Sequence, residues 1–167
     1  MKAVSDATPL IHLAKIRKIF LLKSIFTKIY IPTEIYQEAI IIGKERDKKE
    51  IVLIEKLIKE DFIMVKETLS KLNLQNLHPG EIKAIVLCKE LKIKNLLIDE
   101  KEGYDTAEIM GLNPIRTTSL LLILLDKKII NLEEYEHALL ELSESGYFMS
   151  AEIYQRLLNA GRNITKA

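Results

Sequence analysis

The chain has 167 residues, of which 48% are hydrophobic and 29% are charged, and its formal net charge at pH 7 is +1. This length fits one domain with a single core, and the composition excludes a disordered chain. The near-neutral charge neither supports nor excludes a nucleic-acid partner, because basic residues elsewhere can offset an acidic site.

The apolar stretches and the cysteine usage further narrow the class of protein. The longest nearly apolar stretch, residues 120–125, is far shorter than the roughly 20 residues that a membrane span needs. The first residues lack the pattern of a secretory signal peptide, so we expect a cytoplasmic protein. Cys88 is the single cysteine and lies in an apolar helical pattern. This excludes disulfides and thiolate metal sites within the monomer and predicts a buried thiol.

Short apolar runs alternate with amphipathic stretches along the chain, which predicts alternating strands and helices. A first helix is expected after the first strand, capped by Thr8 and opened by Pro9, and Gly43 and Gly111 are expected to end later helices. The predicted strands cover residues 3–5, 28–31, 62–65 and 95–98, with a short last strand at Ile115. The remaining predicted helices cover residues 19–25, 34–42, 51–58, 79–91, 101–110, 117–125, 132–142 and 150–158.

This order of elements predicts an α/β fold with a mostly parallel central sheet, helices on both of its faces and additional C-terminal helices. We expect a single domain over residues 1–167, with a core of about residues 1–125 and a C-terminal helical extension of about residues 131–160.

Two of the predicted strands stop on acidic residues. The first leads into Asp6, and the fourth leads into Asp99 and Glu100. Ligands of open α/β sheets bind outside the carboxyl ends of the strands, and several carboxylates gathered there repel one another unless a cation neutralises them. The pattern therefore indicates a site for a hard divalent cation. Asp99 and Glu100 point to different sides, so we expect only one of them to reach the cleft, and the spacing leaves open which.

Two further acids lie on predicted helices that follow strands. Glu38 comes four residues after Glu34 on one helix face, at the edge of an apolar stripe. Glu81 stands in the first turn after Pro79-Gly80, where the helix dipole favours a carboxylate. Taken alone, Glu38 is typical of a surface residue and Glu81 of a capping residue.

Several other chemistries find no support in the sequence. His12, His78 and His137 have no metal-ligand spacing, so we expect them to be structural or exposed. No Gly-rich phosphate loop follows the first strand. The segment Ser5-Asp6-Ala7 lacks the paired acids of a phosphoacceptor receiver domain, and Thr8 occupies the place of the second Asp of a haloacid-dehalogenase-type phosphatase.

Four short motifs occur in the order expected of a PIN domain. They are Val4-Ser5-Asp6-Ala7-Thr8-Pro9-Leu10-Ile11, Ile31-Pro32 with Glu38, Pro79-Gly80-Glu81 with Ala84-Ile85, and Leu96-Leu97-Ile98-Asp99-Glu100. The sequence resembles the archaeal and bacterial PIN proteins related to VapC toxins, and residues 107–112, 118–125 and 148–158 look like the later parts of one PIN subfamily. The resemblance implies a three-layer α/β/α fold and a Mg²⁺- or Mn²⁺-dependent ribonuclease.

The resemblance also implies roles for individual residues. Asp6, Glu38, Glu81 and Asp99 map onto the family's catalytic acids, of which Asp6, Glu81 and Asp99 would bind the metal and Glu38 would orient the attacking water or accept its proton. VapC-like enzymes often have Asp at the third position and Thr-x-Asp at the fourth. Counting from that Thr favours Glu100, whereas counting from the strand end and from the subfamily's Asp-Asp pair favours Asp99; we choose Asp99. Ser5 and Thr8 would donate hydrogen bonds around the metal ligands.

The remaining expectations concern partners. Single-stranded RNA is the expected substrate, with Tyr104 stacking on an unpaired base. The candidate cations for the RNA backbone are Lys15, Arg17, Lys18, Lys101 and Arg116. The resemblance also implies a homodimer and an antitoxin protein as partner, the chain being the toxin of such a pair. The alternative is a catalytically weak or inactive PIN-like module that binds RNA or a protein partner.

Overall fold

A five-stranded sheet forms the centre of the molecule. The structure, a computed structural model, describes residues 1–45, 48–74 and 76–166, without the side chains of residues 38, 44 and 45. The strands are β1 (Lys2–Ser5), β2 (Lys28–Pro32), β3 (Ile63–Lys66), β4 (Asn95–Leu97) and β5 (Asn113–Ile115). Their order in the sheet is β3-β2-β1-β4-β5, and every neighbouring pair is parallel. The expected parallel α/β sheet is confirmed.

The order of the strands reverses at β1. The chain first adds β2 and β3 on one side of β1 and then crosses to add β4 and β5 on the other side. Ser5 is in register with Leu97, and the backbone N–H of Asp6 donates to the Leu97 carbonyl over 2.9 Å. The carboxyl ends of β1 and β4 therefore adjoin at the switch point, where open α/β sheets bind their ligands.

The helices form two groups beside this sheet. One contains α1 (Ala7–Lys15), α4 (Lys49–Lys59) and α7 (Thr117–Asp126), in which α1 contacts both of the others. The other contains α2 (Thr33–Ile35), α5 (Pro79–Leu91) and α6 (Lys101–Ile109), in which α5 contacts both of the others. The helical segment that α2 opens continues as a π-helical turn, Tyr36–Ile41, and as α3 (Ile42–Glu45), while a 3-10 helix covers Ile19–Ser24. The result is the expected three-layer α/β/α arrangement.

Two C-terminal helices, α8 (Leu132–Glu144) and α9 (Ala151–Lys166), pack on α7 and on each other. The ring of Tyr135 is fully buried between them, and its hydroxyl donates to the Leu157 carbonyl over 2.9 Å. Gly161 makes this packing possible, because a Cβ there would stand only 2.4 Å from Tyr135 Cε1. The last helix extends eight residues beyond the predicted end at residue 158, since its last residue is Lys166.

Two other predicted helix boundaries are also wrong. Thr8 does not cap α1: Asp6 does, and its Oδ2 accepts a hydrogen bond from the Thr8 backbone N–H over 3.4 Å. Gly43 does not end its helix, because α3 continues to Glu45. Gly43 instead allows a close approach, since a Cβ there would lie 2.8 Å from Ile51 Cγ1. Gly111 does take the left-handed conformation expected after α6, with φ of 76°.

The core and the last strand complete the fold. The strands supply fully buried residues such as Val4, Ile29 and Leu96, and Cys88 is buried as expected. Burying one such aliphatic side chain contributes about 1.5–3 kcal/mol.

The edge strand β5 is three residues long and has Pro114 at its centre. Within the described residues, no helix has the length and hydropathy to cross a membrane.

Candidate active site

Asp6 lies at the junction between β1 and α1. It follows the last residue of β1 directly and is only 7% exposed. Burial raises the pKa of its carboxyl, hydrogen bonds from the backbone of Ala7 and Thr8 lower it, and the charge of Asp99 raises it. The carboxylate is therefore held at the switch point at a cost in desolvation that a nearby cation would offset.

Glu81 lies in the first turn of α5, and its two oxygens differ in their environment. Oε2 accepts a hydrogen bond from the His78 backbone N–H over 2.8 Å, while His78 Nδ1 accepts one from the Gly80 N–H over 3.2 Å. Glu81 thus closes a capping box. Its other oxygen, Oε1, is buried and has no hydrogen-bond partner. Burial raises the pKa of Glu81 most, and the charges of Asp6 and Glu100 raise it further.

Helix α6 passes unusually close to this carboxylate. A Cβ on Gly103 would lie 2.6 Å from Glu81 Oε1 and 2.4 Å from Ile98 Cδ1. Glycine in a helix interior costs roughly 0.5–1 kcal/mol relative to alanine, so its presence here has a structural reason: it leaves room for the carboxylate. A glycine inside a predicted helix, here in the first turn of α6, is the sequence signal that could have indicated this close approach.

A cavity of about 470 Å³, which we call the acid cavity, brings four carboxylates together. Asp6, Glu81, Glu100 and Glu102 line it, along with Thr8, Asn76 and His78. Three helices begin here: Asp6 and Glu100 are the N-cap residues of α1 and α6, and Glu81 is in the first turn of α5. The partial positive charge at each helix N-terminus stabilises such carboxylates and also favours a phosphate group.

Asp99 faces a different direction. Its Oδ1 accepts hydrogen bonds from the Thr117 backbone N–H over 2.8 Å and from the Tyr147 hydroxyl over 3.0 Å, and its Oδ2 accepts one from Thr117 Oγ1 over 2.7 Å. Burial raises the pKa of Asp99, and these hydrogen bonds lower it. Asp99 thus holds the start of α7 and the segment before α9. Of the two adjacent acids, Glu100 lines the acid cavity, while the charge of Asp99 acts on Asp6, so the choice of Asp99 as the metal ligand stays a prediction.

Asp99 lines a neighbouring cavity of about 290 Å³, which we call the side cavity. Thr8 and Glu100 are shared by the two cavities. The other residues of the side cavity are His12, Arg116, Thr118, Gly146, Tyr147, Phe148, Met149 and Ile153.

Ser5, Thr8 and Glu38 were also expected to act at the metal site, and the structure gives each a different environment. Ser5 is fully buried, and its hydroxyl donates to the Asp6 carbonyl over 2.7 Å, so it holds the backbone rather than the carboxylate. Thr8 contacts Asp6 through its backbone N–H, and a hydrogen bond from the Thr8 side chain also lowers the pKa of Asp6. The backbone of Glu38 belongs to the π-helical turn, but its side chain lies outside the described part of the structure, so its role stays a prediction.

The residues expected to bind RNA fall into two groups, Lys15 and Arg17 at the end of α1 and Lys101, Tyr104 and Arg116 around α6. Lys15 and Arg17 lie at the far end of α1 from Asp6, about 13 Å along a nine-residue helix. Lys15 Nζ donates to the Ser145 carbonyl over 3.2 Å. Lys101 pairs with Asp105 over 2.7 Å on the exposed side of α6. Arg116 is the candidate cation beside the acids: it lines the side cavity, and its guanidinium stacks 4.6 Å from the centre of the Tyr104 ring.

The acid cavity fits a hard divalent cation by its donor chemistry. Its charged groups are carboxylates, which Mg²⁺ and Mn²⁺ prefer, and Glu81 Oε1 is a buried acceptor without a partner. Within the described residues, no three His, Cys, Asp or Glu side chains are spaced closely enough to hold an ion as they stand. Binding would therefore use water-mediated contacts, which Mg²⁺ commonly retains, or a rotation of the exposed Glu100 side chain.

This chain is similar to proteins that are already known. A search of the solved structures found a PilT N-terminus domain protein from the hyperthermophilic archaeon Sulfolobus solfataricus P2, with 20% identity and a TM-score of 0.48, covering 72% of this chain and 90% of the other. A search of curated proteins gave no significant match. The family comparison matched a PIN domain over residues 2–162, nearly the whole sequence. The chain therefore belongs to the PIN domain family.

Proposed function

We propose that this chain is a metal-dependent ribonuclease that hydrolyses phosphodiester bonds of single-stranded RNA at the acid cavity. The observation that carries the proposal is the convergence of Asp6, Glu81 and Glu100 on one cavity at the switch point of the sheet, with Glu81 Oε1 buried and unpaired. PIN domains are generally nucleases, and they generally use divalent metal ions.

The proposed ligands of the ion are Asp6 and Glu81, together with either Asp99 or Glu100. Mg²⁺ or Mn²⁺ would supply a water nucleophile at neutral pH and positive charge for the leaving oxygen. The backbone of Thr8 and the capping box of His78 fix two of these carboxylates. Glu38 keeps its proposed role of orienting the water.

The substrate's negative charge must be accommodated beside several carboxylates. The N-termini of α1, α5 and α6 lie at this region, and the partial positive charge of a helix N-terminus favours phosphate. Arg116 adds a full positive charge at the neighbouring wall. These groups support the binding of a nucleic-acid backbone once the ion has offset the carboxylates.

The test compares Asp6→Asn with the parent chain. We expect Mn²⁺-dependent cleavage of single-stranded RNA by the parent and a loss of at least 100-fold in the variant, because an amide is a poor ligand for a hard cation. Glu133→Gln, an exposed acid of α8 outside both cavities, is the matched control and should cleave like the parent. Equal activity of Asp6→Asn and the parent refutes the proposal. No cleavage by any of the three chains favours the alternative, a module that only binds RNA or a protein partner.

We further propose the toxin role, the antitoxin partner and the homodimer that the family resemblance implies. Light scattering on the purified chain measures the oligomeric state, and a mass of 19.2 kDa rather than twice that value would refute the homodimer.

A further inference from the structure

We propose that the side cavity binds a nucleobase of single-stranded RNA, next to the phosphate that the acid cavity would receive. The inference rests on the proposed function, because it assumes an RNA substrate. It assigns a second binding site to the side cavity, most of whose residues the acid cavity does not use.

The first argument is position. The side cavity and the acid cavity share Thr8 and Glu100. A nucleotide whose phosphate occupies the acid cavity has its own base, or that of its neighbour, within reach of the side cavity. Its volume of about 290 Å³ lies near the lower end of the range for small-ligand pockets.

The second argument is the exposed ring of Phe148. This side chain is 94% exposed, although the backbone beside it is well held: the Tyr147 N–H donates to the Leu142 carbonyl over 3.0 Å, and the Tyr147 hydroxyl donates to Asp99. Core packing does not explain a fully exposed phenyl ring on an anchored segment. Aromatic rings presented in this way stack on unpaired bases, whatever the base identity.

The third argument is the uncharged lining contributed by His12. Its ring meets the Tyr147 ring edge to face, with centroids 5.0 Å apart and an angle of 77°. Burial and the charge of Lys15 lower the pKa of His12, while Glu100 raises it, so the ring is mainly neutral at pH 7. Its Nδ1 is buried without a partner, and unpaired polar atoms of this kind are tolerated at functional sites.

The charges around the side cavity favour a base over a second phosphate. Asp99 and Glu100 are negative and line the same cavity as Arg116. The guanidinium of Arg116 already stacks on Tyr104, so it presents a planar cation at the rim. A planar, neutral ligand with polar edges matches this combination better than an anion.

The experiment measures binding separately from cleavage. Fluorescein-labelled hexaadenylate and a hexamer of the same backbone without bases are titrated with the parent, Phe148→Ala and Phe148→Tyr by anisotropy, with Ca²⁺ added as a hard cation to offset the carboxylates of the acid cavity. Because base stacking on an aromatic ring contributes substantially to affinity, Phe148→Ala should bind hexaadenylate roughly 5- to 150-fold more weakly. Phe148→Tyr should bind hexaadenylate as tightly as the parent does, and the hexamer without bases should bind all three chains equally. Ile109→Ala, which truncates an apolar residue of α6 that is 87% exposed, is the control and should bind like the parent.

The outcomes separate this inference from the proposed function. Equal affinity of Phe148→Ala and the parent for hexaadenylate overturns the nucleobase site, even if the parent cleaves RNA with Mn²⁺. The same loss with the backbone hexamer also overturns it, because the ring would then contact the sugar or phosphate. A loss confined to the hexamer with bases supports the site even if no cleavage is found, in which case only the nuclease proposal fails.

Discussion

Replacing Gly103 by alanine should disturb Glu81 while leaving the fold intact. The new Cβ would lie 2.6 Å from Glu81 Oε1 and 2.4 Å from Ile98 Cδ1, and carbon atoms do not approach other heavy atoms so closely. Both atoms are ends of side chains, so the side chains move and the backbone stays. The displaced Oε1 is the buried, unpaired oxygen of the acid cavity.

The expected loss of stability and the expected loss of Mn²⁺ affinity differ in size. Overpacking costs about 1–3 kcal/mol, and exchanging a helical glycine for alanine returns roughly 0.5–1 kcal/mol. The free energy of unfolding should therefore fall by roughly 0–2.5 kcal/mol, and by the lower part of this range because the contacted atoms can move. Displacing a group that orients a metal ligand typically lowers metal affinity by roughly 10–100-fold. We therefore expect Gly103→Ala to lose Mn²⁺ affinity more than stability.

Gly161→Ala is the matched control for overpacking. Its Cβ would lie 2.4 Å from Tyr135 Cε1 and 2.7 Å from Cδ1, and that buried ring has little room to move. Urea unfolding should show a clear loss of stability, while Mn²⁺ binding, followed by calorimetry, should equal that of the parent. Parental Mn²⁺ affinity in Gly103→Ala, or an equal loss in both variants, would refute the role we give to Gly103.

Three further predictions follow from the site and the core. Asp99→Asn should lower the free energy of unfolding by about 1–3 kcal/mol, because it disturbs the hydrogen bonds with Thr117. Glu100→Gln should keep the parental stability and lose Mn²⁺ affinity. If instead Asp99→Asn loses Mn²⁺ affinity and Glu100→Gln does not, Asp99 is the ligand. Burial raises the pKa of Asp6 above its ordinary value of 3.8, so its contribution to stability is full below about pH 4 and is lost as the pH rises through the folded-state pKa. In urea titrations without divalent ions, Asp6→Asn should therefore be more stable than the parent at pH 7, with the difference vanishing near pH 4. Burial raises the pKa of the Cys88 thiol to about 12, so an aromatic disulfide reagent at pH 8 should modify it only after unfolding.

The strands and most helices could be predicted from sequence because they depend on local patterns. Apolar runs such as residues 95–98 ended close to where the strand ends, and the order of elements predicted the parallel sheet. The cap of α1 was assigned to Thr8 because Pro9 follows it and proline is common at the first helical position, yet the helix begins two residues earlier, at Ala7, and Asp6 caps it. The boundary between strand and helix is visible only in three dimensions, because the Asp6 N–H still donates to the Leu97 carbonyl of the neighbouring strand.

The site was less predictable than the fold. Strand ends indicated Asp6 and the pair Asp99 and Glu100, but which of the pair faces the cleft depends on Thr117 and Tyr147, which lie 18 and 48 residues further along the chain. No local pattern reports a contact of that kind. The same applies to Phe148, whose exposure depends on how the segment between α8 and α9 is anchored.

The short edge strand β5 limits how two molecules of this protein can associate. Asn113 donates to the Lys94 carbonyl and Ile115 accepts from the Ile98 N–H, so both face β4, and the backbone of Pro114 between them faces outward. Proline has no N–H, so this edge offers no donor at its centre to an incoming strand. A second copy therefore cannot extend the sheet at β5, and a continuous intermolecular sheet would have to form at β3. Cross-linking or mutagenesis aimed at self-association should begin with the helices and β3, and misfolded material should be less prone to stacking edge to edge at β5.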